Sequence, residues 1–94
     1  MASGTMQKKT DFLIQMVTVT HSGSDVRGID TVTCPTVTGY TPIGVVGHHE
    51  NSDIRTYLFN AYVEQNLLYV GWKTVDGSSI ANHTCDIYVL YKSA

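Results

Sequence analysis

The sequence predicts an all-β domain: an antiparallel β-sandwich or small barrel of about six to eight strands. Three observations carry that expectation. β-branched and aromatic residues recur in short runs with alternating polarity, the pattern of strands that bury one face. Turn residues interrupt the runs at intervals of about 8–12 residues. No segment combines a helical repeat with helix caps.

The first run, FLIQMVTVT (residues 12–20), is dense in β-branched and large apolar side chains, and HSGSD after it reads as a loop. VRGIDTVTC (residues 26–34) is a second strand with Gly28 as a candidate bulge. Pro35 lacks a backbone donor and ends the pairing. GYTPIGVVG (residues 39–47) leads into a third strand over residues 43–49, and a polar turn, Glu50-Asn51-Ser52-Asp53, follows. Its glycines are expected to admit a close backbone or a local kink.

Residues 54–64 form a fourth strand with Tyr57, Phe59, Ala61 and Val63 on one face. Gln65-Asn66 turns the chain tightly, and residues 67–75 return with Leu68, Val70 and Trp72 in phase. Asp76-Gly77 opens a polar loop. Residues 83–92 form the last strand, with Cys85, Ile87, Val89 and Tyr91 on one side and Asp86, Tyr88 and Lys92 on the other. Ile43, Val45, Val46, Trp72, Ile87 and Val89 are the expected strand anchors in the core, with Ile43, Val45 and Val46 in either the core or a subunit interface. Tyr62, Tyr69 and Tyr88 point away from the more apolar faces, which makes them candidates for a subunit interface or for stacking on a sugar.

At 94 residues the chain is one domain, residues 12–94, preceded by a flexible segment over residues 1–11. The apolar fraction of 43% argues against wholesale disorder. Charged residues make up only 15%, below the usual share of about 25%. The polar surface must therefore come from Thr, Ser, Asn and Tyr, a composition suited to a sheet that packs in an assembly. The net charge of −2 and the scattered Lys and Arg offer no basic face for nucleic acid. No apolar run is long enough to cross a bilayer as a helix, and no signal-peptide run follows Lys8 and Lys9.

Catalytic signals are weak. The serines lie in polar loops without a GxSxG elbow, and the aspartates, Asp30 among them, fall at turns or on strand faces expected to be solvated. His48, Glu50 and a remote His21 or His83 are the weak metal candidates. Adjacent strand residues point to opposite faces, so His48 and His49 do not share an ion within one chain. No metal and no cofactor is expected. Cys34 and Cys85 lack CxxC spacing and admit two readings, buried free thiols or a bridge. Asn82-His83-Thr84 fits the glycosylation pattern, a three-residue match that arises often by chance.

Taken together, the Thr/Val-rich residues 17–20, GYTPIGVVG, the aromatic strand at residues 69–72 and the terminal VLYK within residues 87–92 resemble small structural proteins of tailed bacteriophages and prophages. In those, a short β-domain occurs alone or at the end of tail and fibre proteins. Ala81-Asn82 stands where such proteins commonly carry an Asn-rich turn, whereas His48-His49 and Cys85 depart from the pattern. The resemblance implies a virion component, made in the bacterial cytoplasm: a fibre-end, baseplate or head-decoration module. It also implies a threefold homo-oligomer that meets other virion proteins, and it carries over no catalytic residue. Two alternatives stand beside it. One is a module binding a host-surface glycan or receptor, through the tyrosines and the loops at residues 22–25 and 76–82. The other is a small metal-dependent enzyme.

Overall fold

The computed structural model describes residues 11–50, 56–75, 77 and 80–94. Within them lie six strands: β1 (Phe12–Asp25), β2 (Arg27–Thr33), β3 (Tyr40–Glu50), β4 (Thr56–Glu64), β5 (Leu67–Thr74) and β6 (Ile80–Ser93). They form two three-stranded antiparallel sheets, ordered β1-β6-β3 and β2-β5-β4. The all-β expectation holds. Residues 1–10 of the expected segment over residues 1–11, the turn residues 51–53, residues 54–55 of the expected fourth strand, and Asp76, Ser78 and Ser79 lie outside the described residues.

The sheets pack face to face because their inward phases are apolar. β5 contributes Leu68, Val70 and Trp72, while β6 contributes Cys85, Ile87, Val89 and Tyr91 and β1 contributes Val17 and Val19. All nine are buried. Each large side chain among them is worth about 1.5–3 kcal/mol in transfer from water. Val45 is half-buried and packs against this cluster. The two ends of the sandwich are fastened differently. At one end Tyr91 donates from its hydroxyl to the Pro35 carbonyl at 2.6 Å, and Cys34 N–H donates to the Asn66 carbonyl at 2.7 Å. At the other, Thr74 N–H donates to the carbonyl of Val26, the residue between β1 and β2.

Four expectations are corrected. HSGSD is not a loop: β1 runs to Asp25, pairing with β6 beyond a register irregularity between His21 and Ser24. The third strand starts at Tyr40, and Pro42 is accommodated because β3 is an edge strand. Gly28 is no bulge, since β2 and β5 stay in register from Arg27 to Thr33. It faces Trp72, where an added Cβ would lie 3.2 Å from the indole Cζ2.

The fourth correction concerns Ile43 and Val46, which stand outside the core. Pro42 opposes Tyr91 and Gly44 opposes Leu90, so Ile43 is the extra residue of a bulge. Val45 opposes Val89 and Gly47 opposes Tyr88, so Val46 is another. An unpaired bulge residue breaks the alternation. Both side chains therefore turn outward, 47% and 53% exposed.

Candidate functional site

The outer face of the β1-β6-β3 sheet carries several of the exposed large apolar side chains among the described residues. β1 alternates two apolar sets: Leu13, Val17 and Val19 toward the core, and Phe12, Ile14 and Met16 outward. The outward three are 52%, 57% and 55% exposed. The register stacks them in rows with β6: Phe12 opposite Lys92, Ile14 opposite Leu90, Met16 opposite Tyr88 and Thr18 opposite Asp86. β3 completes the rows with Thr41, Gly44, Gly47 and His49, and its bulges add Ile43 and Val46. The middle rows are thus apolar throughout. The ends are polar, with Lys92 at one and Asp86 at the other, where Thr18 donates its hydroxyl to the Asp86 carboxylate at 2.8 Å.

Gly44 sits in a middle row. An added Cβ there would meet nothing within 4 Å. Crowding within the chain therefore does not require a glycine at this position.

The outer face of the β2-β5-β4 sheet differs in chemistry. Tyr62 and Tyr69 are cross-strand partners whose rings stack, centroids 4.9 Å apart and planes 11° apart. Tyr62 is 44% exposed. Beyond them Ile29 and Asn60 flank Gly71, and then Arg27 directly opposes Lys73, both exposed. The structure therefore separates the three tyrosines singled out from the sequence. Tyr62 and Tyr69 form one pair, and Tyr88 lies on the other sheet.

Between the sheets lies a polar cluster that the sequence reading missed. The His21 ring nitrogen Nδ1 lies 2.9 Å from one Asp30 carboxylate oxygen and 3.1 Å from the other. Trp72 donates its indole N–H to Asp30 at 3.0 Å and meets the His21 ring edge-on at 4.6 Å. An imidazole held by a carboxylate is the geometry of a general base. Here the same carboxylate also binds an indole, so it joins β1 of one sheet to β2 and β5 of the other. Asp30, expected on a solvated face, is half-buried because it shares the inward phase of Gly28 and Val32. That phase was the available signal.

The metal candidates do not converge. His48 opposes Ile87 and His49 opposes Asp86, on opposite sides of the sheet, and both are exposed. The side chains of Glu50 and His83 lie outside the described residues. Among the described residues no three His, Cys, Asp or Glu side chains gather. Cys34 and Cys85 are free buried thiols. Burial pushes the Cys34 thiol above its ordinary pKa, and a backbone hydrogen bond opposes that in part. A cavity of about 210 Å³ beside it is lined by Thr33, Thr36, Val37, Tyr40 and Asn66 among others. Comparison with known protein families, with curated proteins and with solved structures returns no match.

Proposed function

We propose that the chain is a non-enzymatic structural module of a bacteriophage particle that works by assembling with copies of itself. The observation that carries this reading is the apolar outer face of the β1-β6-β3 sheet. Monomeric proteins rarely leave so continuous an apolar face in water. An apolar centre rimmed by polar residues is the layout of a protein–protein interface. Charge favours a second copy as the occupant, since every copy carries both ends of the pattern. Copies packed with strands running oppositely place Lys92 over the partner's Asp86. A threefold ring, the arrangement implied by the resemblance, instead gathers like rows around the axis. Gly44 adds support, because the space it leaves is on this face. The phage setting rests on the sequence resemblance. Sedimentation equilibrium at micromolar concentration tests the reading and separates dimer from trimer. A protein that remains monomeric there would overturn it.

The stacked pair on the opposite sheet favours a second reading, a saccharide-binding face. Stacking on Tyr69 holds the Tyr62 ring rigid and leaves its far side to take the apolar face of a sugar. Trp72 is 2% exposed and points into the core, so its fluorescence is a poor reporter of such binding. Calorimetry or NMR of the tyrosine rings is the appropriate measurement. The two readings use opposite faces and are compatible.

A further inference from the structure

We infer that two copies of the chain join through the outer edge of β1, which pairs antiparallel with the same strand of a second copy about a twofold axis at Met16. The inference rests on the self-assembly reading and adds the contact that joins the first two copies.

Four strands among the described residues are sheet edges, and three of them carry devices that discourage pairing. β2 is only seven residues long and bears the inward charge of Asp30. β3 has Pro42 and the bulges at Ile43 and Val46. β4 has a register irregularity between Leu58 and Asn60. From Phe12 to Thr20, β1 has no proline, glycine or charge, and its register with β6 is unbroken. Among the described residues no strand pairs with its outer edge.

The direction of the β1 backbone groups follows from one bond. Ser93 N–H donates to the Asp11 carbonyl at 2.8 Å, so residues 11 and 93, in register with Phe12 and Lys92, are a hydrogen-bonded pair. In an antiparallel ladder such pairs alternate with unbonded ones. The residues of β1 bonded to β6 are therefore Leu13, Gln15, Val17 and Val19. Ala94 N–H donates to the Gly39 carbonyl at 2.9 Å, which agrees, because it turns Ala94 and Lys92 toward β3. Phe12, Ile14, Met16, Thr18 and Thr20 thus aim their N–H and C=O groups away from β6.

A strand that pairs here must be uncharged and apolar in both phases, and β1 itself meets both conditions. A twofold axis at Met16 overlaps Phe12–Thr20 completely. Met16 then meets its own copy, Ile14 meets Thr18, and Phe12 meets Thr20. Each of these pairs matches outward donors with outward acceptors. The apolar rows of the two outer faces run on across the seam, continuous with the face proposed for assembly. Main-chain bonds alone do not offset the freedom lost on association, so the seam needs the face as well.

The test combines sedimentation equilibrium of the intact chain with cysteine crosslinking. Met16→Pro removes an outward N–H that the monomer does not use, so circular dichroism should show unchanged sheet content. The axis doubles each loss, and association should weaken about a hundredfold or more, far beyond Met16→Ala, which keeps the N–H. Met16→Cys should form a covalent dimer under a mild oxidant, since bonded pairs hold their Cα atoms about 5.5 Å apart, within disulfide reach. Thr20→Cys should not, because its copy lies eight residues away along the seam, about 27 Å. Sheets stacked face to face stand about 10 Å apart and would not bridge through Met16→Cys. If Met16→Pro unfolds, the crosslink decides. Equal losses in Met16→Pro and Met16→Ala, or no Met16→Cys dimer, overturn the seam and leave face-to-face assembly standing. A trimeric parent protein does the same. A monomeric parent protein overturns both.

Discussion

Tyr91, in the central strand of one sheet, donates a 2.6 Å hydrogen bond to the carbonyl of Pro35, in the connection that crosses between the sheets. The ring is fully buried. One side chain therefore fills the core and also holds the crossing segment at its polar tip.

Removing only the hydroxyl isolates the second role. Tyr91→Phe should cost about 1–2 kcal/mol, the net hydrogen bond plus the price of leaving a carbonyl unsatisfied. Urea unfolding measures it as a lower midpoint with an unchanged slope.

The same residue makes the fold sensitive to alkali. Burial, with a smaller contribution from neighbouring Cys34, raises the Tyr91 phenol above its ordinary value of 10.0. Burial likewise raises the Cys34 thiol above 9.0. Below those values both states of the chain keep their protons and stability is intact. As pH rises past them the unfolded chain ionises first, so stability is lost until pH exceeds the raised folded values. Unfolding midpoints should fall from about pH 9 upward, and less steeply in Tyr91→Phe.

Asp30 accepts from Trp72 and faces His21 across the two sheets. Asp30→Ala strands a buried indole N–H and removes the imidazole's partner, and should cost about 1–3 kcal/mol. Asp30→Asn keeps an acceptor for the indole and should cost less. Thermal melts of the two variants beside the parent protein rank them, and melting temperatures equal to the parent's would show that the carboxylate clasp contributes nothing.

Ile43 is a bulge residue on the surface, so Ile43→Asp should fold with an unchanged circular-dichroism spectrum while failing to assemble. Gly44→Ala should leave the monomer's stability within about 1 kcal/mol yet weaken assembly. Sedimentation of both variants beside the parent protein reads the result. A destabilised Ile43→Asp monomer would return Ile43 to the core.

Gln65 adopts φ 58° in the two-residue turn between β4 and β5. A left-handed backbone costs a long side chain about 1–2 kcal/mol, less for Asn. Gln65→Asn should raise the melting temperature by a few degrees.

The inward faces of β5 and β6 were legible in the sequence because strict alternation survives from Leu68 to Trp72 and from Cys85 to Tyr91. The outward turn of Ile43 and Val46 was not. A bulge adds one residue to one strand and leaves no mark in an already apolar run. Asp30 was half legible: its phase with Gly28 and Val32 points inward, but its partners come from β1 and β5. Alternation groups Tyr88 with Tyr62 and Tyr69, each in the phase opposite the more apolar face of its strand. Only strand order places it on the other sheet. The apolar outer face was obscured for a related reason, since β1 is apolar on both sides and alternation then marks neither.

The strand on which the β1-β6-β3 sheet depends follows the other five described strands in the chain. β6 is the shared neighbour of β1 and β3, which do not touch each other in the ladder. While the chain is growing on the ribosome, β4 and β5 are the one pair of described strands adjacent in sequence that also pair in a sheet. β1 and β3 must wait, edges bare, for β6 to emerge, whereas β2 finds its partner in β5 before then. A chain truncated before residue 80 would lose the centre of that sheet, and nascent copies held close together would be most prone to mispairing during this interval.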